Sequence, residues 1–130
     1  MSNKGWIGVD LDGTLAHYEG WNNGEIGSPI PAMVERVKKW LEEDKEVRIV
    51  TARVSPLVEI DGNYPYANAS NELIESARAQ GFAIQEWCLT HIGQVLQITC
   101  IKDFNMIELW DDRVVRVRIN EGNPCCDYSR

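Results

Sequence analysis

The sequence predicts an α/β fold: a three-layer α/β/α sandwich around a mostly parallel five-stranded sheet. Three observations carry that expectation. Short apolar runs at Trp6 to Val9, Glu46 to Val50, Val95 to Ile101 and Met106 to Trp110 each end in polar or charged residues. Stretches with helical spacing separate the first three runs, the alternation that builds parallel sheets. The chain of 130 residues has single-domain length and suffices to bury one core.

The elements follow in order. Trp6 to Val9 reads as a buried first strand, with Asp10 at its carboxyl end, where open α/β sheets place their ligands. The stretch 16–27 holds His17, Tyr18, Trp21 and glycines, and reads as a flap over the site or as a surface loop whose aromatics pack on the core. Pro31 suits a first helical position, and Met33, Val34, Val37, Trp40 and Leu41 share one face, so a crossover helix is expected up to Glu43–Lys45. Glu46 to Val50 is the second strand, ending in Thr51-Ala52-Arg53. A long loop, 54–69, carries Pro56, Gly62, Tyr64, Pro65 and Tyr66.

Leu73, Ile74 and Ala77 place a helix over Asn71 to Gln80, with Gly81 as its stop. Ile84, Trp87, Cys88 and Ile92 space as a further short helix stopped by Gly93, and His91 reads there as a surface or packed histidine. Val95 to Ile101 is the third strand, ending in Lys102-Asp103, and Met106 to Trp110 the fourth, ending in Asp111-Asp112-Arg113. Val114, Val115, Val117 and Ile119 suggest a fifth strand at the edge. One domain is therefore expected over 1–120, followed by a turn-rich tail at 121–130.

Composition narrows the function. A net charge of −7 argues against a general binder of nucleic acid or anionic membrane. No apolar run approaches membrane-spanning length and no signal peptide is evident. The four cysteines, Cys88, Cys100, Cys125 and Cys126, form no Cys-x-x-Cys pair, so a zinc site is not expected and a reduced, cytoplasmic setting fits.

Parallel strands bring their carboxyl ends to one edge. Asp10 with Asp12, Thr51 with Arg53, Lys102 with Asp103, and Asp111 with Asp112 are thus expected to converge. If that edge serves a dianionic phosphate monoester, as the resemblance described next implies, an attacking carboxylate meets strong repulsion. At about 4 Å and an effective dielectric near 20, each pair of like unit charges costs on the order of 4 kcal/mol. Clustered Asp10, Asp111 and Asp112 offer hard oxygen ligands suited to Mg²⁺, and Lys102 adds a fixed positive charge. Arg53 and Arg113 either grip a second substrate anion or form surface salt bridges, and Asp103 is placed to hold Lys102.

Asp10-Leu11-Asp12-Gly13-Thr14 resembles the signature of the haloacid dehalogenase-like (HAD) hydrolases, and Thr51, Lys102 and Asp111-Asp112 match that superfamily's second, third and fourth motifs in order. The resemblance spans residues 6 to 112 and implies a Rossmann-like catalytic domain without a large cap. It implies Asp10 as the nucleophile that forms an aspartyl-phosphate. Asp12 is implied as general acid and later base, its backbone carbonyl a metal ligand. Thr51 is implied to bind a phosphoryl oxygen and the acidic fourth motif to ligate Mg²⁺. A Mg²⁺-dependent phosphomonoester hydrolase is therefore expected. Its substrate would be a small molecule or an exposed phosphate on a larger one, with a partner subunit or the Tyr64–Tyr66 loop as possible cover. A phosphotransferase or nucleic-acid end phosphatase on the same scaffold is the alternative, as is a non-catalytic phosphate-binding regulatory module. A receiver-like domain would leave Asp12 without a role.

Overall fold

The computed structural model describes residues 5–65 and 70–125. Four strands, β1 (Trp6–Asp10), β2 (Glu46–Val50), β3 (Gln97–Thr99) and β4 (Met106–Trp110), form one all-parallel sheet in the order β3-β2-β1-β4. Two α-helices, α1 (Pro31–Glu42) and α2 (Asn71–His91), and two short 3₁₀ segments, Asn22–Gly24 and Ala52–Leu57, complete the architecture. The fold is α/β and Rossmann-like in its parallel sheet, as expected, with four strands instead of five.

Helix α1 starts with Pro31, whose missing N–H costs nothing in the first turn. It ends where Asp44 takes a positive φ of 62°. There Lys45 N–H reaches the Trp40 carbonyl at 3.0 Å and Asp44 N–H reaches Leu41 at 3.1 Å, which satisfies the last turn's free acceptors.

Helix α2 corrects an expectation. The two short helices expected on either side of Gly81 are one helix of 21 residues. Ile74, Ala77, Ile84, Trp87 and Cys88 lie buried along it, so the apolar stripe runs through Gly81 without a break. The Ser70 hydroxyl caps the start by accepting from Leu73 N–H, and Gly93, at φ 103°, closes the end.

Buried residues of both helices join one cluster with Ile7, Val9, Val47 and Ile49. Strand alternation turns Trp6, Gly8, Arg48 and Val50 to the opposite face. The helical layer thus lies on one face, and the second helical layer of the expected sandwich has no α-helix among the described residues. The β3–β4 connection, 100–105, contains no helix and is fastened at Asp103, which accepts from Trp6 Nε1 at 2.8 Å. The Arg48 guanidinium covers the Trp6 ring at 4.4 Å and also pairs with Asp103. Asp103 therefore anchors the connection to Trp6 and Arg48, where the sequence suggested it would hold Lys102.

The expected fifth strand is absent among the described residues. Positive φ at Asn120 and Gly122 turns the chain, and Arg116 and Arg118 hydrogen-bond back to Cys125 and Asn123. Val114, Val117 and Ile119 stay exposed instead of extending the sheet beyond β4.

Candidate functional site

Register brings the strand ends together. Asp10 pairs with Val50, so Thr51 lies one residue beyond it. Val9 pairs with Trp110, so Asp111 comes next beside Asp10. One carboxylate oxygen each from Asp10, Asp111 and Asp112 lie within 4.8 Å of one another. They open into a cavity of about 600 Å³ that is also lined by Asp12, Tyr18, Trp21, Thr51, Arg53 and Arg113.

Three carboxylates this close do not ionise independently. The Asp10 carboxyl is raised from 3.8 to about 7, first by burial, then by the Asp111 charge, then by the hydrogen bond and charge of Asp112. Metal-free, the Asp10 carboxyl therefore holds its proton to a pH well above the usual carboxylate range. A hard divalent cation fits this donor set, because it removes the repulsion that raises Asp10 and takes oxygen ligands. Gly13 permits the arrangement: at φ 89°, a Cβ there would lie 2.7 Å from Asp112 Oδ2. The Thr14 hydroxyl lies 3.3 Å from Asp112 Oδ1, and Arg113 N–H donates to Asp111 Oδ1 at 2.8 Å.

Asp12 is built differently. Arg53 Nε donates to Asp12 Oδ2 and Arg53 Nη2 to Asp12 Oδ1, both at 2.8 Å. The same guanidinium donates from Nη1 to the Gly24 carbonyl and to Gln80 Oε1, both at 2.6 Å, and from Nη2 to the Glu25 carbonyl at 3.4 Å. All five guanidinium donors are engaged within the chain. Arg53 is therefore bound to Asp12 and the loop, forming a buried ion pair where the sequence offered a surface one.

Thr51 is buried, and its hydroxyl oxygen accepts from Arg53 N–H at 3.1 Å, which starts the 3₁₀ segment. The hydroxyl keeps its own proton to donate toward the cavity. Lys102 is exposed and does not line the cavity. The reason is local: β3 ends at Thr99, two residues before the expected end, and Asp103 draws the following chain toward Trp6.

Within 16–27, Tyr18 and Trp21 line the cavity and remain partly exposed. Trp21 stacks 4.9 Å from the Arg53 guanidinium, and Trp87 Nε1 holds the Gly27 carbonyl at 2.9 Å. Tyr64 does not line the cavity, and Tyr66 lies outside the described residues. Sequence reasoning missed Gln80, for which no local signal exists, and Thr14, which the Asp-Gly-Thr spacing could have supplied.

No family model and no curated protein matches the chain. Among solved structures it is similar to a conserved protein coded by a locus of Bacteroides thetaiotaomicron, at 21% identity and a TM-score of 0.50. The match covers 87% of this chain and 79% of that one. At that identity the likeness is one of fold. Among the described residues, no helix is long and apolar enough to cross a membrane.

Proposed function

We propose that the chain is a Mg²⁺-dependent phosphomonoester hydrolase of HAD type, working through an aspartyl-phosphate on Asp10. The observation that carries this reading is the Asp10, Asp111 and Asp112 cluster at the carboxyl edge of β1 and β4, with Asp12 and Thr51 on the same cavity. A hard divalent cation held by Asp10, Asp111 or Asp112 and the Asp12 carbonyl would supply the positive charge that lets an anion attack an anion.

In this reading Asp10 Oδ attacks phosphorus as the bond to the ester oxygen breaks. The departing oxygen takes the electron pair and a proton from Asp12, which must first leave the Arg53 fork and be protonated. Water then attacks the phosphorus of the aspartyl-phosphate, gives its proton to Asp12, and frees Asp10 and inorganic phosphate. Thr51 donates to a phosphoryl oxygen, while Trp21 and Tyr18 flank the leaving group.

The test is hydrolysis of p-nitrophenyl phosphate with Mg²⁺, with chelator, and by Asp10→Asn. Turnover that needs the metal and disappears in the variant supports the reading. The second reading, a non-catalytic phosphate-binding module, draws on two observations: Lys102 stands outside the cavity, and both Asp12 oxygens are occupied by Arg53. Binding of inorganic phosphate without turnover of any ester would favour it.

A further inference from the structure

We propose that the β3 end of the cavity is a subsite for a planar ring. The preferred substrate is then a phosphate monoester whose neutral leaving group carries such a ring well away from phosphorus, on the scale of a nucleoside monophosphate. This rests on the phosphatase reading above.

Register sets the length of the cavity. Asp10 pairs with Val50 and Val50 with Thr99, so the three stand in one row across the sheet. Thr51 N–H donates to the Thr99 carbonyl at 2.8 Å, which keeps β2 and β3 joined to the end of that row. Cys100 and Ile101 follow directly and line the cavity, two strand spacings or about 10 Å across the sheet from β1.

The two ends differ in chemistry. Asp10, Asp111 and Asp112 gather at the β1–β4 end. At the β3 end the lining is Ser55, Val58, Cys100 and Ile101, and none of these is charged. A leaving group with a second phosphate would meet no cation there, whereas a neutral, largely apolar one is desolvated at little cost.

The loop 16–27 supplies the surface for a ring. Trp21 is 52% exposed and Tyr18 41%, and both line the cavity. The Arg53 guanidinium packs 4.9 Å from the centre of the Trp21 ring and holds the indole in place. Flat heteroaromatic rings stack on such side chains whatever their substituents. An ester that ends close to its ester oxygen would leave this surface and Ile101 bare.

The experiment compares kcat/KM with Mg²⁺ for adenosine 5′-monophosphate and ribose 5-phosphate, which share the ester bond and differ by the ring. The proteins are wild type, Trp21→Ala and Ile101→Ala, each checked for folding by circular dichroism. Wild type should prefer the nucleotide by about 30-fold. Trp21→Ala should reduce that preference about tenfold and Ile101→Ala about fivefold, chiefly through KM. Ile101→Ala decides the matter if Trp21→Ala does not fold. Equal use of the two esters, or a preference that neither variant moves, would overturn the ring subsite while the phosphatase reading stands. So would turnover of p-nitrophenyl phosphate alone. Wild-type protein that releases phosphate from none of the three overturns both.

Discussion

Gly13 and Asp112 approach so closely that a side chain on the first would displace the carboxylate of the second: the added Cβ would meet Asp112 Oδ2 at 2.7 Å. The φ of 89° at Gly13 independently disfavours any other residue. Gly13→Ala is therefore expected to cost about 1–3 kcal/mol from backbone conformation. It should also weaken divalent-cation binding. Urea unfolding reads the first and calorimetric Mg²⁺ titration the second.

Asp10 gives stability a pH signature. Its carboxyl is raised from 3.8 to about 7 by burial and then by Asp111 and Asp112, so between those values the folded chain holds a proton that the unfolded chain has lost. Stability of the metal-free protein should fall as pH rises from about 4 to about 7, the sign opposite to a salt-bridged carboxylate. Asp10→Asn should flatten that part of the curve. Mg²⁺ should stabilise the protein more at pH 8 than at pH 5, because it binds the ionised cluster. Unfolding midpoints measured across this range check all three.

Gly81 lies inside α2 with open space where a side chain would project. Gly81→Ala should raise stability by about 0.5–1 kcal/mol through helix propensity alone. Activity should be unchanged.

Trp87 Nε1 fastens the end of the loop by bonding the Gly27 carbonyl. Trp87→Phe should destabilise the fold by about 1–2 kcal/mol, from a lost hydrogen bond and a small void. It should also speed proteolysis of the loop between His17 and Gly27, measured against an unaffected cut elsewhere.

Legibility in the sequence followed the range of the interactions. β1, β2, β4 and α1 were readable because apolar runs and a 3.6-residue stripe are local patterns. Convergence of Asp10, Thr51, Asp111 and Asp112 was readable too, since parallel strands end at one edge. Gly81 misled because glycine is a frequent stop, yet an unbroken stripe of buried residues outweighs its modest propensity cost. Val114 to Ile119 has strand composition, but its polar groups turn back on residues 123–125. Lys102 was misplaced because β3 ends at Thr99 and the chain then runs to the Asp103–Trp6 bond, so Lys102 is not carried to the sheet's carboxyl edge. The Asp12–Arg53 fork joins residues 41 apart and leaves no local trace.

The proposed mechanism turns on a covalent phosphoryl bond to Asp10. Acid quench during turnover of p-nitrophenyl phosphate with Mg²⁺, followed by peptide mapping in mass spectrometry, tests it most directly. A phosphoryl group is expected on Asp10, absent with chelator and absent in Asp10→Asn. Turnover with no phosphoryl group on the protein, or with one on another residue, would contradict it.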